Sequence, residues 1–411
     1  MSLYAAAEKR SQLPPLLGLL NPFGWDMSFL GSQKTKSGID VSPENVLSLS
    51  TFFMGKTLIA ESLAQLPFAP VIREIQNGRT TTRKYKEHPS YNLISKRPHE
   101  YVSAFNFIKV MQGWACTYDN AYAIIERNNN YQPTGLFPVH PSRVTPFIDD
   151  NKLYYDIEGK RYVPWDIFHI LGNTNDGITA QSRVRLGKEA LGKAMAAQRF
   201  GAEYFGKGIH TSGFIKTKDY LGNDKEKAQR LKDSFLQKYG GQNGAFGVGV
   251  LEGGAEWVSN ENDPEKAQLT ETSKVDARVV ANYLNMPVSM LNQLESGAYD
   301  REQLSIQFVN HTLIPWGRNW GQECWWKLLS KNDQQNRDID FKFNFKGLLK
   351  GDTKARAQFY ESLAKVGAYS PNHILEKENE NSYPGGDLHI VSPGANTVEN
   401  LNNKNNGTSN Q

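Results

Sequence analysis

A chain of 411 residues is long enough for two or three domains, and 39% hydrophobic with 22% charged residues excludes a wholly disordered polypeptide. Its 47 basic and 43 acidic residues leave a formal charge of +4, too balanced for a protein whose main work is clamping phosphates. The two cysteines, Cys116 and Cys324, have no metal-type spacing and no disulfide framework, and no apolar run approaches membrane-spanning length, so a soluble protein is expected.

Residues 1–44 carry Gly, Ser and Pro punctuation without periodicity and are expected to form a flexible N-terminal arm; the apolar patch at Leu13–Leu20 is too short and proline-broken for a signal peptide. Asn45–Leu66 reads as a helix with Val46, Phe53, Leu58, Ile59 and Leu63 on one broad face, stopped by Pro67. Inside it, Gly55-Lys56-Thr57 suggests a phosphate loop. That loop needs a glycine five residues earlier, where this chain has Ser50, so the tripeptide is read as helix. Val71–Ile75 is the next strand. The basic turn with Arg79, Arg83, Lys84 and Lys86 lacks interleaved aromatics for base stacking and is read as a solvated hairpin tip. Ala104–Ala115 reads as a helix, followed by short strands at Asp119–Ile125, Tyr154–Ile157, Tyr162-Val163 and Trp165–Ile170. His169 has no carboxylate or cysteine at ligand spacing and is expected to be structural. Asn175-Asp176-Gly177 marks a sharp turn.

Arg183–Lys207 is a long helical stretch in which Gly187, Gly192 and Gly201 weaken an isolated helix but let neighbours approach closely. Gly213–Lys216 reads as a strand, Asp224–Tyr239 as a charged amphipathic helix, and Val248–Glu252 with Ala255–Val258 as a hairpin around Gly253-Gly254. The glycine-rich stretch 240–254 lacks the dinucleotide fingerprint and is read as a flexible turn. From Pro264, a good first-turn residue, no Gly or Pro occurs until Met286-Pro287 ends a second rod. A mixed-polarity loop at 288–300 follows, with Gly297 as its flexible point. The next helix starts near Asp300 and is expected to kink at Pro315. Ile339–Phe345 alternates strictly, as a half-buried strand does; 353–366 is an amphipathic helix; the Asn-, Gly- and Ser-rich end is expected to be disordered.

The run VVANYLNMPVSMLNQLESGAYDREQLSIQFVNHTLIPW, from Val279 to Trp316, resembles the corresponding region of tailed-bacteriophage portal proteins, in the branch of long-tailed phages and prophages. Further matches follow the same order: Ile59-Ala60 and Leu66-Pro67, His88-Pro89, Asn120–Tyr122, Leu136–Val144, His169-Ile170, Phe205–Gly208 and Gly367–Leu375. The chain departs from the pattern at Asp119, where glycine is usual, and at His373 and Leu375, where Glu and Arg are usual. The resemblance implies an α+β portal fold in a closed ring, normally dodecameric. Its parts would be a mixed α/β wing (45–182), stem helices (183–208 and 262–285), a small α/β clip (209–261) and a helical crown (350–392). Residues 286–349 would supply the tunnel loop, the long kinked helix and a wing strand, and 393–411 a disordered tail.

The function so implied is a DNA channel at one capsid vertex of the virion, through which the terminase packages DNA and from which DNA is later ejected. Implied partners are further copies of the chain, double-stranded DNA, the terminase large subunit, major capsid and scaffolding proteins and head–tail adaptors, with assembly in the host cytoplasm and no membrane. The resemblance puts the tunnel loop at Leu291, Asn292, Gln293, Leu294, Glu295, Ser296, Gly297, Ala298 and Tyr299. Phe214, Lys232, Tyr239 and Trp257 are expected at the docking face of the clip. No catalytic residue, metal or cofactor is expected, because the terminase supplies the energy. The rival readings are a nuclease or ATPase of the packaging machinery, which would need a carboxylate cluster, phosphate loop or Ser/Cys–His pairing not found as a local motif, and a structural head–tail adaptor.

Overall fold

Proline and glycine set most of the boundaries. The computed structural model describes residues 35–76, 79–150, 152–206, 213–216, 229, 233, 256–259, 277–291, 301–348, 353–378 and 380–389. The chain divides into two compact units, one of Met1–Tyr299 with Asn310–Asn344, the other of Asp300–Val309 with Phe345–Gln411.

In the first unit, helix α1 (Ser50–Ala64) stops just before Pro67 and leads into strand β1 (Phe68–Gln76). β1 is longer than Val71–Ile75 because it is paired on both sides: with β2 (Arg79–Lys84) as a hairpin and with β11 (Ile339–Phe343) in antiparallel register, Ile72 opposite Ile339. In the basic hairpin Arg83, Lys84 and Lys86 are exposed, and Arg83 meets Glu74 at 3.2 Å and Glu87 at 3.1 Å. Helices α2 (Ser90–Ser95) and α3 (Ala104–Tyr118) follow. Next come β3 (Asn120–Arg127), β4 (Pro133–Val139), β5 (Val144–Asp149), β6 (Lys152–Ile157), β7 (Lys160–Tyr162) and β8 (Ile167–Leu171). They make two antiparallel sheets, in strand orders β4–β3–β8 and β5–β6–β7.

β3 explains how these layers stack. Side chains alternate across a strand, and Tyr122 points into a cluster with Val139, Val144, Tyr155, Ile157 and Ile167 between the two sheets. Ala121 and Ala123, on the opposite face and fully buried, leave room for α3 to pack on the sheet. The aromatic centre is Trp320, which is 1% exposed. Its ring lies 6.3 Å from Phe68, 6.0 Å from Phe107 and 5.6 Å from Phe168, and its Nε1 donates to Gln112 Oε1 at 2.9 Å. One residue therefore joins β1, α3 and β8 to the helix that carries it.

The expected first rod is broken at Gly187 into α4 (Arg183–Leu186) and α5 (Lys188–Gly206). The break has a packing reason: a Cβ at Gly187 would lie 2.1 Å from the Tyr283 ring, and one at Gly192 2.8 Å from Thr35. β9 (Gly213–Lys216) pairs antiparallel with β10 (Glu256–Ser259). The expected hairpin of Val248–Glu252 with Ala255–Val258 lies partly outside the described residues, since 248–255 are not among them; the pairing described for 256–259 is with 213–216. Residues 277–284 form helix α6. From Arg301 the backbone is helical through α7 (Arg301–Gln307), a π turn (Phe308–Leu313) and α8 (Ile314–Leu328), so the expected disturbance near Pro315 takes the form of a π turn. Helix α9 (Lys331–Asn336) leads into β11, whose Ile339, Phe341 and Phe343 are buried, as strict alternation requires.

In the second unit, α10 (Thr353–Lys365) and α11 (Pro371–Glu378) are tied by Glu378, which accepts from Tyr360 Oη at 2.5 Å and meets Arg356 at 3.6 Å. Asn372 bonds both the N–H and the carbonyl of Tyr383, at 3.0 and 2.9 Å. Phe359 and Val366 are exposed in this chain.

Candidate functional site

A dense set of polar contacts lies in the first unit, where α3, β8, α4, α6 and α8 meet. Asp119 follows α3 with φ of 58°, the left-handed conformation that favours glycine. Asp is one of the few side chains that tolerate it, and here the carboxylate is used. Its side chain is fully buried. Oδ1 accepts from Arg183 Nε at 2.6 Å and from the Asn173 N–H at 3.1 Å; Oδ2 accepts from the Arg183 N–H at 2.6 Å. The Asp119 carbonyl takes the Gly172 N–H at 2.7 Å. Arg183 then donates from Nη1 to Tyr283 O at 3.0 Å, in the last turn of α6, and its guanidinium stands 5.9 Å from the Trp316 ring. Burial raises the Asp119 pKa despite the opposing pull of Arg183. An aspartate standing where the resemblance leads one to expect glycine acts here as a clamp.

Beside it, Asn285 ends α6 with φ of 51°. Asn285 Nδ2 donates to His311 O at 2.9 Å, and Thr312 Oγ1 donates back to Asn285 O at 2.5 Å. A cleft of about 270 Å³ opens here, lined by Asn173, Arg183, Asn285, His311, Trp316 and Asn319 among others. Among the described residues its lining includes no carboxylate, thiol or lysine. Amides, an aromatic face and a guanidinium already engaged with Asp119 make it a surface for neutral hydrogen bonding.

A second polar network joins β8 to α8. His169 Nε2 lies 2.9 Å from Asn120 Oδ1 and Nδ1 lies 3.2 Å from Tyr155 Oη, so a neutral ring donates at Nε2 and accepts at Nδ1. Burial, with Lys327 adding, pushes its pKa down to about 3. Glu323 accepts the His169 N–H at 2.9 Å and stands 3.9 Å from Lys327 Nζ; burial pushes its carboxyl up to about 7. Lys327 donates to Pro164 O, and Arg127 Nη2 donates to Lys327 O at 2.8 Å. His169 is thus structural, as expected. Among the described residues no group of three His, Cys, Asp or Glu could hold a metal, and no helix is long and apolar enough to cross a membrane.

Gly55-Lys56-Thr57 lies within α1, where a Cβ on Gly55 would meet Leu284 at 2.5 Å and Leu291 at 3.1 Å. This glycine serves helix packing, and Lys56 lies over the Phe53 ring at 4.9 Å. Leu291, expected to project with the tunnel loop, is instead buried beside Gly55, so it anchors the segment to the body. Residues 292–300, and with them Asn292 to Tyr299, lie outside the described residues, as do Lys232 and Tyr239. Phe214 and Trp257 lie on paired strands, opposite Val258 and Ile215. The clamp residues Asp119, Arg183, Asn285 and His311 were not singled out as a site from sequence; the one signal was Asp119 itself, standing where a glycine was expected.

Helix ends are thus locked by buried polar groups onto a layered α/β body. The chain belongs to the phage portal protein family, whose profile matches residues 50–379. It is similar to the portal protein of Enterobacteria phage HK97, 23% identical over 355 residues, covering 85% of this chain and 82% of that one. The probable portal protein of Streptomyces phage phiC31 is 22% identical over 410 residues, covering 94% and 87%. In fold it is similar to the crystal structure of an HK97-family phage portal protein from Corynebacterium diphtheriae, with TM-score 0.55 at 14% identity over 78% of this chain and 98% of that one. It is also similar to a chain in the neck of a native gene transfer agent particle computed with C12 symmetry, with TM-score 0.51 at 18% identity over 83% and 95%.

Proposed function

We propose that the chain assembles as a closed ring, normally of twelve copies, forming the DNA channel at one vertex of a capsid. The observation that carries this is the family match over most of the chain, supported by similarity to nearly the whole length of a chain in a twelve-fold symmetric particle neck. A ring of this kind is heterologous: each copy presents two different, complementary faces. Residues 45–182 with 339–343 serve as the wing, the helices at 183–208 and 262–285 as the stem, 209–261 as the clip and 350–392 as the crown. The clip receives the terminase and later the adaptor, through Phe214, Lys232, Tyr239 and Trp257. The loop 292–299 faces the DNA. The terminase drives translocation, the channel touches DNA weakly, and capsid and scaffolding proteins surround the ring during assembly in the host cytoplasm. A near-neutral composition suits such a channel, since tight phosphate binding would stall passage.

Native mass spectrometry tests the assembly directly. Subunits of 46.3 kDa should appear as a closed ring of about twelve. A monomer that turns over ATP would overturn the proposal in favour of a packaging enzyme.

A further inference from the structure

We propose that Asn285 is a positioning residue for the helices on either side of residues 286–310, its side-chain amide standing in for the backbone N–H that Pro315 lacks. In an α-helix the N–H of each residue bonds the carbonyl four residues earlier, and proline has no N–H to give. The carbonyl four residues before Pro315 belongs to His311. Asn285 Nδ2 donates to that oxygen at 2.9 Å, from a different helix end, across 26 residues of chain.

The donor is held in place by its own backbone. Asn285 sits at φ of 51°, and the next N–H, of Met286, bonds Ala281 O at 3.0 Å, which is the closing bond of a helix C-cap with a left-handed residue. That geometry turns the Asn285 side chain away from α6. The contact is also reciprocal: Thr312, 2% exposed, donates from Oγ1 to the Asn285 carbonyl at 2.5 Å. Two consecutive residues of the π turn are therefore read by the two polar ends of one asparagine.

The π turn gives this contact its consequence. A π turn takes one more residue per turn than an α turn, and one residue of register in an α-helix is a rotation of about 100°. Relaxation to α would carry His311 and Thr312 out of line with Asn285. The asparagine thus fixes the register of the turn, and with it the placement of both ends of the span 286–310. In the channel this span includes the DNA-facing loop, and that part of the inference rests on the proposed function.

The test uses full-length protein and a cycle of substitutions. Asn285→Gly keeps the left-handed backbone and removes the amide. Asn285→Asp keeps the shape and the turn preference, but sets an acceptor oxygen against His311 O. Pro315→Ala restores the missing N–H. The unfolding midpoint should fall in the order Asn, Gly, Asp, and in the Pro315→Ala background the Asn285→Gly loss should shrink or vanish. DNA content of particles assembled with each variant should drop for Asn285→Gly and stay low in the double variant, because stability is rescued but positioning is not. Asp performing as well as Asn, or simple additivity of the two midpoint shifts, would overturn the lock. Unchanged DNA content in Asn285→Gly would reduce the asparagine to an ordinary fold contact and overturn the positioning role. If Asn285→Gly does not fold, the same cycle run with Asn285→Asp decides the question. Wild-type particles that hold no DNA would instead count against the channel itself, leaving the midpoint cycle to judge the lock.

Discussion

Asp119 shows how one buried carboxylate can replace the conformational freedom of a glycine with something more specific. Asp119→Gly would keep the left-handed backbone while leaving Arg183 Nε and the N–H groups of Asn173 and Arg183 without an acceptor. Arg183 is 23% exposed, so solvent recovers part of the loss. Destabilisation of roughly 2–3 kcal/mol is expected by urea unfolding, below the 3–5 kcal/mol typical of a broken, fully buried pair. Wild-type stability in Asp119→Asn, which keeps the shape and one acceptor but removes the charge, would mean that the charge is not what holds the junction. The second network makes a pH prediction. Glu323, raised to about 7, holds its proton more tightly when folded, so its contribution is complete below the ordinary carboxylate pKa near 4.5 and is lost as pH climbs through 7. His169, lowered from 6.5 to about 3, contributes fully above 6.5 and is lost as pH falls through 3. Between about 4.5 and 6.5 the two slopes oppose each other. Glu323→Gln keeps an acceptor for the His169 N–H and removes one slope. Its stability should therefore fall by about 3 kcal/mol as pH is lowered from about 6.5 to 4.5, one proton's worth at about 1.36 kcal/mol per pH unit, while the wild type stays nearly level. Parallel curves for the two proteins would refute the coupling.

Among elements, the same glycine-to-alanine change should have opposite signs in two helices. At Gly321 in α8 an added Cβ would lie 2.5 Å from Phe341 O, a backbone atom of β11 that cannot swing aside. Gly321→Ala should cost about 1–3 kcal/mol, as overpacking does. At Gly113 in α3 the Cβ would meet only Lys56 Nζ, at 3.8 Å. Gly113→Ala should be neutral or stabilise by up to about 1 kcal/mol through helix propensity. Thermal unfolding of the two variants side by side reads this directly, and like signs would contradict the packing described. The contrast also shows what sequence could reveal. Period and punctuation are local, so the stop at Pro67, the alternation of Ile339–Phe343 and the end of α6 at Met286-Pro287 were all legible. The π turn was not, because apolar spacing does not distinguish an extra residue in one turn from a kink at Pro315. The pairing of β10 with Gly213–Lys216 was not either, because the two strands lie some 40 residues apart in sequence and local spacing does not reveal such a partner. The junction was hidden for the same reason, since its bonds span 64 residues from Asp119 to Arg183 and 100 from Arg183 to Tyr283.

For the whole molecule, symmetry multiplies whatever one subunit presents. In the proposed ring each copy contributes one loop, and Glu295 is the only charged residue from Leu291 to Tyr299. With Leu291 buried in the body, the residues proposed to face DNA are Asn292 to Tyr299, whose sequence offers neutral amides and hydroxyls, two apolar side chains and one carboxylate per subunit. A ring of such carboxylates repels phosphates over about 8–10 Å in physiological salt, the screening length, and so keeps DNA from settling on the wall. The neutral groups then make contacts that break as readily as they form. Glu295→Lys converts that ring from repulsion to attraction without touching the clamps at Asp119 or Asn285. The expected outcome is an assembled ring of unchanged native mass whose particles package DNA more slowly or release it less readily, with a defect that eases as salt is raised because screening weakens the added attraction. Salt relief is the informative arm, since a folding defect would not follow ionic strength in that direction. Packaging and release at wild-type rates at low salt would place Glu295 away from the DNA path and remove the loop from the channel wall.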